Sequence, residues 1–293
     1  MTIIGQDDRR EITSFNEDPY DSVVAVDAIE NNVIDFGDGV NSGEGSGILI
    51  SPYHVLTAAH VIENKQAARI TLAEDVQNLP SPRSTKLFPL NDANASKRNG
   101  GTLDTSRRYN GNVEDGYDIG LITLNSGKSF SNSSKYIGLL AFVDPKDAYN
   151  YEVTTAGYPA VVRNADIDIS KNAKHILRDE NGNPLLPSND LFGSVGTAAE
   201  ALFTATGTVN EVLDNGNLRL SDSIDIERGQ SGSGLWTILE GDETRVMGVL
   251  SRQELGGSII GVPLGLNNFA ASIDIIAYER LVERMENRVN YYS

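Results

Sequence analysis

An all-β fold in two halves is the class this 293-residue sequence predicts, and three observations carry the prediction. Apolar runs of strand length at positions 23–26, 48–50, 119–124 and 246–250 sit among clusters of Gly, Asp, Asn and Ser, the spacing of a sandwich or barrel. Helix signals are few and concentrate at the C-terminus. At about 150 residues per domain, the length accommodates two domains or one large two-lobed unit.

Taken in chain order, the first helix signal is a short one after Thr57, through Ala58-Ala59-His60-Val61-Ile62. Around positions 209–220, Asp214-Asn215-Gly216-Asn217 supplies the positive-φ residues of a tight hairpin. The C-terminal helix begins at Asp274 as a cap, with Tyr278, Leu281, Val282, Met285 and Val289 on one face and charged residues on the remainder. Two polar stretches, 74–116 and 163–198, read as long surface loops. The strand pattern breaks at Asp144-Pro145-Lys146-Asp147, which divides the chain into 1–145 and 146–293.

Composition excludes several function classes. With 24 basic against 41 acidic side chains, the net charge of −17 repels phosphate backbones, so nucleic acid is not an expected partner. No apolar run reaches the roughly 18 residues of a membrane-spanning helix, and no membrane partner is expected. The absence of cysteine removes disulfides, thiol catalysis and cysteine-ligated zinc. Secretion remains the expected location, with the cytoplasm as alternative, although the first ten residues show no signal-peptide pattern. No cofactor or metal is expected: His175 has no ligand spacing to the other two histidines, and Asp7-Asp8 matches no regular calcium loop.

Three segments carry chemistry. Gly45-Ser46-Gly47-Ile48 leads through His54 to Thr57-Ala58-Ala59-His60, where small residues allow close packing around an imidazole that can act as a general base. Asp118 opens the apolar run Ile119-Gly120-Leu121-Ile122, a costly place for a carboxylate without a partner such as a histidine N–H. Gly229-Gln230-Ser231-Gly232-Ser233 brackets a serine with glycines, so that backbone N–H groups can turn toward one point as an oxyanion hole. Ser233 is the rival nucleophile within that segment. His54 reads as a surface turn residue and Trp236 as core beside the loop.

In the order His, Asp, Ser, these segments resemble the chymotrypsin-like (trypsin-fold) serine proteases. The resemblance runs from about Gly45 to the C-terminal helix. Within the family, Asp7-Asp8-Arg9, Ala156-Gly157-Tyr158-Pro159 and Ser231-Gly232-Ser233 are similar to the cysteine-free bacterial glutamyl endopeptidase-like branch. It implies two antiparallel six-stranded β-barrels closed by a C-terminal α-helix, with His60 and Asp118 on the first and Ser231 on the second. It further implies a serine endopeptidase acting on protein or peptide substrates through an acyl-enzyme, with Gly229 and Ser231 donating to the oxyanion. Gln230 stands where animal trypsins place the aspartate that pairs with a new N-terminus, so activity is expected not to depend on that ion pair.

For specificity, the resemblance places Asp225, Ser251 and Gly261 at the substrate pocket, and a carboxylate at Asp225 would favour cleavage after Arg or Lys. Cleavage after Glu is the alternative, but its expected histidine is missing from the strand around Leu250, with Arg252 as a substitute cation. A catalytically silent protease-like binding module is a third reading. Oligomeric state is not legible.

Overall fold

The computed structural model describes residues 8–12, 18–29, 43–65, 67–72, 86–89, 102–124, 144, 147–159, 202–226, 229–239, 243–255, 258–259, 262–263 and 266–292. Two antiparallel sheets and a C-terminal helix make up the architecture, as expected. One sheet contains β2 (Val23–Ile29), β3 (Gly43–Ser51), β4 (His54–Thr57), β5 (Ala67–Leu72), β6 (Lys86–Pro89), β7 (Thr102–Thr105) and β8 (Gly120–Thr123). Its order is β6-β5-β2-β3-β4-β8-β7.

The other sheet contains β1 (Arg10–Ile12), β9 (Glu152–Gly157), β10 (Leu202–Val212), β11 (Asn217–Leu220), β12 (Gly234–Leu239), β13 (Glu243–Leu255) and β16 (Leu266–Ser272). Its order is β1-β10-β11-β16-β13-β12-β9, and an added β9–β10 pairing closes six of these strands into a barrel, with β1 attached outside the ring. Between β13 and β16, β14 (Ser258–Ile259) and β15 (Val262–Pro263) form a small separate hairpin.

Alternation along the strands sorts apolar side chains into three cores, because successive residues of a strand face opposite sides. On β2, Val24, Val26 and Ala28 fill the interior of the first sheet, while Val23 and Ala25 face the second. On β13 and β12, Met247, Leu250 and Leu235 fill the barrel, while Val246, Val249 and Trp236 face the first sheet. The central core therefore lies between the sheets. Trp236 is buried there, edge-on to Tyr20 at 6.1 Å.

Three corrections concern the elements. The stretch 74–116 is not one loop: it carries β6 and β7. Both are outermost strands of their sheet and only four residues long, β7 is largely polar, and β6 ends in a proline, which has no N–H to pair. Edge strands lack the continuous apolar signature that marks a central one. Secondly, β1 pairs with β10 (Arg10↔Thr204), so the beginning of the chain joins the sheet built mainly from its second half. Lastly, His54 is buried within β4, its Nδ1 2.6 Å from Ser51 Oγ, and is no surface turn residue. The stretch 163–198 and His175 lie outside the described residues.

The hairpin forms as expected, β10 and β11 being joined through Gly216 at φ +80°. Helix α1 (Ala59–Ile62) is short, and α2 (Ile275–Tyr292) starts where Asp274 Oδ1 accepts the Ala277 N–H at 2.9 Å. Ala277 and Leu281 bury the inner face of α2 in the central core, with Tyr278 and Met285 partly buried beside them.

Candidate active site

His60 sits in the first turn of α1, a helix too short to stand alone and with no side-chain cap from Ala58. Asp118, immediately before β8, supplies the missing cap. Its Oδ1 accepts the His60 main-chain N–H at 2.9 Å, and its Oδ2 lies 2.7 Å from His60 Nδ1. One carboxylate thus fixes both the backbone and the ring of His60.

Asp118 is fully buried, whereas the His60 side chain is 30 % exposed. A buried carboxylate is costly unless its oxygens are paired. A third partner completes the set: Ser251, on β13 of the other sheet, donates its hydroxyl to Asp118 Oδ2 at 2.6 Å. Ser251 was expected to line the substrate pocket; its hydroxyl also supports the His60–Asp118 pair. Burial, with the negative charges of Asp118 and Glu63 nearby, pushes the Tyr109 hydroxyl well above its ordinary pKa.

The approach to Asp118 is tied to the C-terminal helix. Tyr117 adopts φ +60°, and the guanidinium of Arg108 lies over its ring at 3.8 Å. Arg108 also makes a bidentate pair with Asp274 at 2.7 and 2.5 Å. Burial would raise the Asp274 pKa, but the Arg108 hydrogen bonds and the N–H groups of Ala277 and Ile276 more than offset this and hold it below its ordinary value.

Ser231 comes from the turn between the barrel core and β12. Gly229 and Gly232 both have positive φ, +94° and +85°. Gly232 could carry no side chain in any case: a Cβ there would collide with Thr57 Oγ1, the Ser46 carbonyl and the Ala58 nitrogen. That contact seats the turn directly against the start of α1. A Cβ on Gly45 would meet both Val61 of α1 and the Ser231 carbonyl, so Ser231 and the His60 helix flank one glycine. The Ser231 turn and the helix that carries His60 are thus brought together by main-chain packing. Ser231 is partly exposed, whereas Ser233 is fully buried with its hydroxyl unpartnered. Accessibility therefore separates the two rival serines.

Asp225 is buried and accepts the Asp8 N–H at 2.8 Å, an anchoring role that the sequence did not reveal. Next to it, Arg9 Nη1 donates to Gln230 Oε1 at 3.2 Å and its guanidinium stands 5.4 Å from the Phe203 ring. Arg252 is held by Glu254 at 2.5 Å and the Val113 carbonyl at 2.6 Å, over the ring of Phe269. Gln253 bonds the Ile226 carbonyl and Asn268. Gly261 lies outside the described residues. Among the described residues no three His, Asp or Glu side chains converge as a metal site.

Sequence reasoning also passed over Ser46 and Thr57. Thr57 donates to the Ser46 carbonyl at 2.8 Å, and Ser46 contacts the nucleophile turn through both main chain and hydroxyl. Only the small-residue run Gly45-Ser46-Gly47 hinted at such a close approach.

Known proteins place this geometry. A solved structure of a Glu endopeptidase in complex with MPD aligns over 98 % of this chain and 99 % of its own, with a TM-score of 0.56 and 17 % identity. An inactivated protease paralogue of the scabies mite aligns over 92 % and 96 %, with a TM-score of 0.54 and 15 % identity. At such identities these likenesses show the fold alone. No curated protein sequence matches the chain. The family model of the trypsin-like peptidase domain matches residues 45–249, a span that contains His60, Asp118 and Ser231. The chain belongs to the trypsin-like peptidase family.

Proposed function

We propose that this peptidase is a serine endopeptidase in which Ser231 is the nucleophile, His60 the general base and then acid, and Asp118 the group that orients the imidazole. The observation that carries the reading is the two-point hold of Asp118 on His60, through N–H and Nδ1 together. With Nδ1 engaged by the carboxylate, Nε2 is the ring atom left to take the Ser231 proton. Ser231 Oγ attacks the substrate carbonyl, and the oxyanion that forms is received by the N–H groups of Gly229 and Ser231. His60 then protonates the leaving amine, and water repeats the sequence to release the acyl group.

For the residue before the scissile bond, a basic side chain is the better supported choice. Arg252, the cation a glutamate would need, already engages Glu254 and the Val113 carbonyl. Asp225, which accepts the Asp8 N–H, supplies a carboxylate of the sign that a basic side chain needs. A cleavage profile on a peptide library tests this: Arg or Lys before the cut supports it, Glu overturns it.

An inactivated paralogue with this fold makes the silent-module reading a concrete rival. A fluorophosphonate probe discriminates. Labelling of the parent chain that disappears in Ser231→Ala supports the enzyme, whereas an unlabelled parent, or labelling that survives the substitution, overturns it.

A further inference from the structure

We infer that Ser46 is the positioning residue of the oxyanion hole, an inference that rests on the triad reading above and deepens it. Ser46 lies on β3, in the first sheet, and is completely buried. Its main-chain N–H donates to the Ser231 carbonyl at 2.8 Å. Its hydroxyl donates to the Gly229 carbonyl at 2.9 Å and accepts the Tyr158 N–H at 2.9 Å. One serine of the first sheet therefore holds two alternate carbonyls of the nucleophile turn and the end of β9.

Peptide planarity makes this hold consequential. In a trans peptide the N–H points opposite the carbonyl of the same plane, so fixing one fixes the other. The N–H of Ser231 shares its plane with the Gln230 carbonyl, which accepts the Ser233 N–H at 3.0 Å. The planes on either side are those whose carbonyls Ser46 holds, Gly229 before it and Ser231 after it. On the far side, the Gly232 N–H is claimed by the Leu250 carbonyl at 2.8 Å. Three consecutive planes are thus locked, two of them by Ser46, and the Ser231 N–H is left pointing away from the turn's interior.

Loss of the hydroxyl removes the side-chain restraint on the Gly229 carbonyl and so loosens the Gly229–Gln230 plane. Gly229, at positive φ and without a Cβ, opposes its rotation weakly. A rotated plane there shifts the donors on both sides of it. The effect belongs to the transition state, because the oxyanion exists only then.

The test uses the full chain and a small alkyl fluorophosphonate, whose reaction needs the nucleophile and oxyanion donors but little of the specificity pocket. Ser46→Ala is expected to slow phosphonylation of Ser231 by about tenfold or more, a fraction of the roughly 100- to 1000-fold that accompanies loss of a whole donor. On the best library peptide, kcat is expected to fall with KM within about threefold, the pattern of an interaction made only in the transition state. Ser46→Cys, which keeps a weak S–H donor, is expected to fall between parent and Ser46→Ala. It also keeps the question open to measurement if the alanine variant does not fold. Phosphonylation at the parent rate in either folded variant, or a loss confined to KM, overturns the role of Ser46. An unlabelled parent instead overturns the triad reading.

Discussion

The His60–Asp118 half of the candidate site and the Ser231 half are built in different ways. His60 and Asp118 are joined by side-chain chemistry: two carboxylate oxygens, one ring nitrogen and the Ser251 hydroxyl. The turn from Gly229 to Ser233 is held by its main chain, through carbonyls bonded to Ser46 and N–H groups bonded to Leu250 and Gln230. The first half depends on which residues are present and the second on the path of the backbone. Substitutions should therefore damage the first half by changing protonation and orientation, and the second by letting peptide planes move.

The largest expected effect lies in the first half. Asp118→Asn leaves an oxygen for the His60 N–H but offers the ring an amide in place of a carboxylate. The wrong imidazole tautomer then lowers kcat by about 10,000-fold, as steady-state kinetics on the best library peptide would show. A loss of less than about tenfold would place the acid–base function elsewhere. Next comes Ser251→Ala, which removes a hydrogen bond to a charged group worth about 1.5 kcal/mol and so about tenfold in kcat. An unchanged kcat would show that the two His60 contacts alone orient the carboxylate.

The smallest effect concerns the support behind Asp118. Arg108→Ala removes the Asp274 pair and the stacking on Tyr117, both partly exposed, at about 1 kcal/mol of stability. The folded-state pKa of Asp274 is depressed, so its contribution is fully present above the ordinary carboxylate range and disappears as pH falls through the depressed value. Thermal unfolding of parent and variant should differ at pH 7, begin to converge below about pH 4 and coincide only below the depressed value. A difference that persists undiminished in acid would assign the stabilisation to the Tyr117 stacking.

Much of this site was legible in the sequence because its chemistry advertises itself. A carboxylate opening an apolar strand, a histidine after two alanines and a serine between glycines are each improbable without a partner, and Asp118 and His60 are indeed partners. The central strands were equally visible, since burial on two faces makes 48–50 and 246–250 continuously apolar. What stayed hidden was relational. Nothing in the spacing says that Ser251 turns to Asp118, that Asp225 receives the Asp8 amide, or that Arg252 pairs with Glu254. Edge strands of four residues such as β6 and β7 are too short to carry a period that stands out from loops.

The pairing of β1 with β10 also sets a timetable. Arg10 meets Thr204, and Asp8 meets Asp225 at a separation of 217 residues. At about 5–20 residues per second, roughly 10–40 s of synthesis pass between the emergence of those partners. During that interval the leading segment has no seat, while strands of the first sheet can already pair with their neighbours in sequence. The latest contacts to form thus include those of Asp8 and Arg9 with Asp225 and Gln230, the latter adjoining Ser231. A nascent chain interrupted before β10 would display His60 and Asp118 without the Ser231 turn that completes the candidate site.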